Sequence, residues 1–504
     1  MADDVIRSEG SGAGVHERPG LTPDYWDFAH RLRASLRWRL PVSRGAAAHF
    51  TPDRPVVVAR APGRLDVLGG IADYSGALVL QWPIRAATLV AAQEADDDRV
   101  RMTSLADPAP GSDRSVVLAR GELDRLAEEG YAAAREFFAR APQAHWSSYA
   151  AGALIVLARE RRARCPRGLR LLIRSDVPQG QGLSSSAALE VATMQALAHL
   201  LGVALGGAEL ARLCQKVENL VVGAPCGIMD QMASALGRAN HLLALVCQPA
   251  EVLGFVRPPE GIEFWGIDSG IRHAVSGADY VGVRTGAFMG YRILAEAAGA
   301  GPPRRGEDGV VRYDDPPWGG YLANLDPGDF ERTLAGCLPE AMRGDEFLRR
   351  YGGTTDPVTR VDPGRTYAIR RPTAHPIHEH ARVLRFAAQL AAGPDEPALR
   401  EMGALMDASH ASYSACGLGS AGTDRLVELV RRAGPGAGLY GAKITGGGSG
   451  GTAAVLGRSD AEPAVLAIAR QYGEETGHAA TVFSGSSPGA CAFGVRVLAG
   501  PGGT

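Results

Sequence analysis

One stretch of the chain sets a glycine turn, three consecutive serines and a helix-forming run end to end: Val177-Pro178-Gln179-Gly180-Gln181-Gly182-Leu183-Ser184-Ser185-Ser186-Ala187-Ala188-Leu189. Glycines let a backbone come close to a ligand and take positive φ. Serines at a helix start sit among unpaired N–H groups and the positive end of the dipole. Together they form a site for phosphate. Their hydroxyls also suit Mg²⁺, a hard cation that takes oxygen ligands. The plainer reading makes Ser184 a helix cap and the glycines a turn, but three serines exceed what one cap needs. No Gly-Lys-Ser or Gly-Lys-Thr follows, so this is not a Walker loop. A second glycine stretch, Thr445-Gly446-Gly447-Gly448-Ser449-Gly450-Gly451, reads either as a flexible hairpin or as another close backbone approach.

The elements that must carry these loops are legible from periodicity. Leu169, Leu171, Leu172 and Ile173 predict a strand before the serines, and Ala187 to Leu201 predicts a helix after them. Upstream, Tyr25 to Leu40 predicts a helix with Phe28, Leu32 and Leu36 on one face. Val56 to Ala59 is a short β-branched run, Leu78 to Val90 alternates strand and turn signals, and Asp96 to Asp98 and Asp107 to Asp113 read as turns. Leu123 to Phe138, Trp146 to Arg162 and Glu209 to Leu220 predict helices. Strands follow near His241 to Cys247 and Glu263 to Asp268, then a helix over Asp279 to Ala297. Pro302 to Trp318 reads as a surface insertion, with two helical segments around Leu334 to Tyr351. Ile377 to Leu390, Leu399 to Ser414 and Asp424 to Ala433 predict helices. The second glycine stretch sits between strands Gly438 to Lys443 and up to Leu456, before a helix over Ala461 to Thr476 and strands to Val497. Helices and strands alternate, which places the fold in the α+β or α/β class.

The 504 residues are 45% hydrophobic and 21% charged, the make-up of a globular protein. A net charge of -2 gives no electrostatic case for nucleic acid or a membrane surface. Seven scattered cysteines without C-x-x-C spacing predict reduced thiols in a cytosol and no zinc site. Residues 1–20 are polar and glycine-rich, predicting a disordered tail without a secretion signal. Only two lysines occur, Lys216 and Lys443. For Lys443 two readings stand, a phosphate contact or a structural cation.

The serine stretch resembles the central motif of the GHMP kinases, the family named for galactokinase, homoserine kinase, mevalonate kinase and phosphomevalonate kinase. Two more segments carry the resemblance. Ala442 to Thr452 is similar to the family's C-terminal glycine motif, implying that Gly446, Gly447 and Gly448 close over the phosphates. Arg60-Ala61-Pro62-Gly63-Arg64, with Gly69 and Asp73-Tyr74, resembles the galactokinase signature. The resemblance implies ATP and Mg²⁺ as cofactors. It implies phosphate contacts from Gly180, Gly182, Leu183, Ser184, Ser185 and Ser186, and metal ligation by Ser186 and Glu218. Asp230, in Gly227-Ile228-Met229-Asp230-Gln231, matches the galactokinase catalytic aspartate, with Arg64 as its catalytic partner. Arg64, Asp73, Gly227, Asp230 and Tyr280 are the implied sugar contacts; a half-buried core tyrosine stands as the other reading of Tyr280. Chemically the set is coherent, since phosphoryl transfer is mostly positioning and charge neutralisation. Asp73 can accept hydrogen bonds from two vicinal hydroxyls. Thr103 and Ser104 are loosely placed candidates near the adenine.

The implied architecture is the bilobed α+β GHMP kinase fold. An N-terminal α/β domain (residues 21–236) and a ferredoxin-like α+β C-terminal domain (237–504) would hold the active site between them. The galactokinase signature has Glu-His where this chain has Gly70-Ile71. In galactokinases that pair lies toward the sugar's exocyclic hydroxymethyl group. L-Arabinose has the ring stereochemistry of D-galactose without that group, and a site lacking those partners leaves no buried polar group unpaired. Gly69 to Gly76, Asp356-Pro357-Val358-Thr359, His375-Pro376-Ile377, Ser412 to Ser420 and Gly422 to Leu426 resemble the kinase region of plant L-arabinokinases. The expectation is a cytoplasmic L-arabinose 1-kinase, with a galactokinase of altered pocket as the alternative and a non-catalytic sugar/ATP sensor as the third reading. Nothing in the sequence fixes the oligomeric state; a monomer would suffice.

Overall fold

The computed structural model describes residues 21–38, 50–105, 113–271 and 278–499. The N-terminal tail and most of the Asp107–Asp113 turn lie outside them. Helix α1 (Pro23–Trp38) buries Phe28, Leu32 and Leu36 as its periodicity predicts. Strands β1 (Val56–Leu68) and β2 (Leu78–Ala95) form the antiparallel backbone of the first sheet. Both are longer than the pattern shows. Every residue of β1 is buried, so no polar face alternates along it. The signature Arg60 to Leu68 is therefore strand, and Gly70–Ser75 is a short, tight 3₁₀ segment linking β1 to β2.

Beyond β2 come β3 (Arg99–Leu105), β4 (Arg114–Ala119) and β5 (Gly168–Ser175); β5 pairs β2 antiparallel and β3 parallel. One face of this sheet is covered by α2 (Arg120–Glu129), α3 (Tyr131–Ala139), α4 (Ser147–Arg161), α5 (Ser185–Leu200), α6 (Gly207–Lys216) and α7 (Met229–Leu236). The expected helix over Leu123 to Phe138 is two helices, because Gly130 sits at φ 112 between them. Val57 and Ala59 enter that helical core, while Val56 and Val58 pack under α1, as period-two alternation requires.

β6 (Leu242–Val246) and β7 (Glu251–Val256) extend the same sheet from the first half of β2. The second sheet holds β8 (Ile262–Asp268), β9 (Leu439–Ile444), β10 (Thr452–Arg458) and β11 (Val482–Phe483) in the order β9-β10-β8-β11. Between β8 and β9 run α8 (Ala278–Ala297), α9 (Arg370–Ala392), α10 (Glu396–Ala415) and α11 (Ala421–Ala433); α12 (Glu462–Thr476) follows β10. α11 and α12 cover the second sheet around Trp265, Ile267 and Tyr472. The last strand, β12 (Val495–Leu498), returns to the first sheet and pairs with β1. A division between residues 236 and 237 therefore runs through the first sheet, since β6, β7 and β12 all belong to it. The 302–318 insertion forms a short hairpin, Arg304–Arg305 with Val311–Arg312, and Trp318 packs on Tyr291. Among the described residues no helix is long and apolar enough to cross a membrane, and all seven cysteines are free.

Candidate active site

The two glycine loops, more than 260 residues apart in sequence, lie backbone against backbone. A Cβ on Gly182 would stand 2.7 Å from Thr445 O, and one on Gly446 would stand 2.7 Å from Gly182 O. Both glycines also hold positive φ, so neither position admits another residue without parting the loops. Between them sit two serines in the left-handed region, Ser184 at φ 59 and Ser449 at φ 60. Ser184 makes no cap hydrogen bond to α5, and its buried Oγ has no protein partner; Ser449 Oγ is likewise buried and unpaired. That disposes of the capping reading of Ser184. Strain and orphaned hydroxyls at one place mark a site built for something besides the fold. Ser185 and Ser186 open α5. Leu183 contributes its side chain to the core and its carbonyl to Arg64 N.

Arg64, on β1, is buried to 2% exposure. Its Nε and Nη2 donate to Asp230 Oδ1 at 2.9 and 2.7 Å, and its Nη1 donates to Gly182 O at 2.6 Å. One guanidinium thus ties the aspartate to the serine loop. Both bonds to Asp230 use Oδ1, which leaves Oδ2 outside the pair. Asp230 stands in the first turn of α7, a position that favours a carboxylate.

Asp73 faces the same space from the 70–75 turn. Burial, reinforced by the negative charge of Asp230 and opposed by Arg284, pushes its carboxyl up to about 7. A Cβ on Gly227 would overlap Asp73 Oδ2, so only glycine allows the 225–228 loop to lie against it. Arg64, Ile71, Asp73, Pro225, Cys226, Gly227, Met229, Asp230, Tyr280 and Gly447 line a cavity of about 160 Å³. Tyr280 is a wall of this cavity, and its ring meets Tyr74 edge-on at 5.9 Å.

Glu218 lies beyond α6 in a π-helical turn, where a single wide turn carries it inward. Gln231 Nε2 donates to it at 2.6 Å, and Ser186 and Cys226 also hydrogen-bond its carboxylate. Burial raises Glu218 to about 7, with Asp230 adding to the rise against the Ser186 bond. Gln231 Nε2 also reaches Glu190 Oε2 at 3.1 Å. Glu190 went unremarked in the sequence, although it falls four residues after Ser186 and therefore on the same helix face.

Lys443 resolves to the structural reading. Its Nζ is fully buried and bonds Asp66 Oδ2 at 2.5 Å. Asp66 Oδ1 accepts from Gly70 N at 2.9 Å and Gln81 Nε2 at 2.7 Å. Tyr413 completes the group: its hydroxyl accepts from Ile71 N at 2.8 Å and donates to Gly446 O at 3.2 Å. Neither Asp66 nor Tyr413 stood out as a site residue, since each looks like part of its own element until the two ends of the chain meet. Gly70 is not in the cavity wall. At φ +43 its missing Cβ would overlap the Tyr413 hydroxyl and come 2.7 Å from Asp66 Oδ2. Ile71 alone of the Gly70-Ile71 pair faces the cavity. Thr103 lies on β3 with its Oγ1 3.0 Å from Ser115 Oγ, and neither it nor Ser104 lines the cavity.

Comparison with known proteins agrees with this geometry. The galactokinase galactose-binding signature matches residues 47–94, the GHMP kinases N terminal domain matches 148–238, and the GHMP kinases C terminal matches 395–475. L-arabinokinase of Arabidopsis thaliana is 44% identical over 493 residues, covering 90% of this chain, which spans only 47% of that protein's length. Galactokinase of Chloroflexus aggregans is 34% identical over 84% of this chain and 90% of its own. Among solved structures, Lactococcus lactis galactokinase complexed with galactose superposes with a TM-score of 0.65 at 22% identity, covering 86% of this chain and 94% of that one. A mevalonate kinase superposes at 0.51 with 14% identity over 86% of this chain and 99% of its own. A signature on β1 and a glycine loop between β9 and β10 that both reach one cavity, a serine loop opening α5 that Arg64 ties to it, and these matches over most of the chain place this protein in the GHMP kinase family, among its galactokinase-type members.

Proposed function

We propose that this protein transfers the γ-phosphoryl group of ATP to the anomeric hydroxyl of L-arabinose, giving L-arabinose 1-phosphate and ADP. The observation that carries the reading is the Arg64–Asp230 pair, set at the junction of the cavity with the serine loop. Asp230 Oδ2, outside the pair, takes the proton of the attacking hydroxyl. Arg64 holds the aspartate in place and offers positive charge where the transferring group passes. Asp73 accepts hydrogen bonds from ring hydroxyls across the cavity. Gly180, Gly182 and the unpaired Ser184 hydroxyl face the phosphates, with Gly446 to Gly448 closing from the second sheet. The donors fit a hard divalent cation: Ser186 and Glu218 would hold Mg²⁺, which when bound neutralises phosphate charge.

The choice of sugar rests on Ile71. An apolar side chain forms the wall where galactokinases present a polar pair, so a hydroxymethyl oxygen would be buried there without a partner, typically at a cost of about 1–3 kcal/mol. The match to the galactose-binding signature supports the second reading, a galactokinase with an altered pocket. ADP release with Mg²⁺-ATP and L-arabinose, D-galactose, D-fucose or D-glucuronate separates them. A higher kcat/KM for L-arabinose than for D-galactose is expected. A preference for D-galactose keeps the mechanism and discards the pentose. Sugar and ATP binding without turnover would make the protein a sensor.

A further inference from the structure

Among the described residues, Arg284 is a buried cation beside the sugar cavity that the proposed chemistry leaves unused. It lies on α8 one turn after Tyr280 and is buried to 4% exposure. Its Nε and Nη2 each donate to Asp356 at 2.8 Å, one to either carboxylate oxygen. Its Nη1 donates to Cys226 O at 3.0 Å. The guanidinium lies 5.4 Å from the Tyr74 ring centre and 5.7 Å from that of Phe288. Asp356 is 1% exposed and saturated, because Val358 N, Thr359 N and Thr359 Oγ1 also donate to it. Such a pair is fixed in orientation as well as charge, since both fork bonds must be kept.

The carbonyl that Arg284 holds belongs to the residue before Gly227, and Gly227 is the one that lies against Asp73. A chain of contacts therefore runs from Asp356 through Arg284 and the Cys226 carbonyl to the Asp73 carboxylate. We infer that Asp356 is a positioning residue of the sugar site, acting through Arg284 to seat the 225–228 loop and to set the charge that Asp73 experiences. Asp356-Pro357-Val358-Thr359, which follows the long segment after α8, is thereby a brace for sugar recognition that touches no sugar. This inference rests on the proposed role of Asp73.

Asp73 is faced by Asp230 from α7, by Arg64 on β1 through its pair with Asp230, and by Arg284 and Tyr280 on α8. Among the described residues, Tyr74 on its own turn, Cys247 after β6 and Tyr413 on α10 also face it. Of these, Arg284 is the group whose charge Asp356 balances. With Asp356 neutral, the pull of Arg284 on Asp73 strengthens and the carboxyl titrates at lower pH.

The test uses Asp356→Asn, which keeps the shape, and Asp356→Ala, which frees the loop. Carboxyl ¹³C NMR should show Asp73 titrating lower in Asp356→Asn by roughly half a unit to one unit. KM for the sugar should rise roughly tenfold in Asp356→Ala while KM for ATP stays within about twofold, the mark of a displaced sugar contact. An unmoved Asp73 titration in Asp356→Asn overturns the inference, and so does a rise in both KM values that follows Tm alone. If Asp356→Ala does not fold, the Asp73 titration in Asp356→Asn decides alone. A wild-type protein that turns over no sugar would count against the proposed function, while the NMR arm still decides the role of Asp356.

Discussion

At the scale of single residues, the cavity holds two carboxylates in different electrostatic surroundings. Asp230 is paired with a guanidinium, whereas Asp73 is buried beside that same negative charge and raised to about 7. kcat/KM for the sugar should therefore climb with pH through about 7 as Asp73 ionises and begins to accept from hydroxyls. Stability moves the other way. A carboxyl whose folded value exceeds its unfolded one favours folding while protonated, and that contribution is lost as pH rises from about 4 to about 7. Asp73→Asn should raise Tm at pH 8, change it little at pH 4 and abolish sugar binding; thermal scans at the two pH values check it. Asp230→Asn should cut kcat by roughly a thousandfold or more with a small change in Tm. Asp230→Ala should cost more stability than Asp230→Asn, by about 2–3 kcal/mol, because it removes the acceptor of two bonds from the buried Arg64 guanidinium, which an Asn carbonyl oxygen would keep. Equal melting temperatures for the two variants would contradict this.

At the scale of elements, the interesting joint is the 69–76 turn. The sequence shows that Gly70-Ile71 replaces a polar pair, and it shows the direction of the chemical change. It does not show what fills the space a larger residue would take. That space belongs to the Tyr413 hydroxyl of α10, which bonds both Ile71 N and Gly446 O. Converting Gly70→Glu and Ile71→His together should therefore destabilise the protein rather than recruit galactose. Adding Tyr413→Ala to that pair should restore folding in part and only then move the L-arabinose to D-galactose ratio of kcat/KM. A stable, galactose-preferring double variant that retains Tyr413 would refute the overlap. The same limit explains other gaps. The motifs, most helices and the strands before and after them were legible because they are local. The lengths of β1 and β2, the pairing of the two glycine loops and the Asp356–Arg284 clamp were not, because each depends on burial or on contacts between distant residues.

At the scale of the whole molecule, the sequence yielded two halves, and the structure shows them sharing a sheet. The residues that line the cavity come from β1, the 69–76 turn, the 225–228 loop, α7, α8 and the second glycine loop, so no contiguous piece of chain holds the site. Its last strand, β12, borders β1, the strand that carries Arg64. Removing residues 495–499 should expose one edge of β1, reduce the soluble yield and lower kcat together with Tm, which expression trials and a melting curve would show. During synthesis the consequence is one of timing. The ribosome releases β1 early, yet its Val56–Ala59 edge stays open until about 430 further residues have been added, at about 5–20 residues per second. For those roughly 20 to 90 seconds the nascent chain has an unfinished β edge. A chain cut short before residue 498 would keep that edge for life, which makes the strand farthest from the chemistry in sequence a checkpoint on whether the chemistry ever begins.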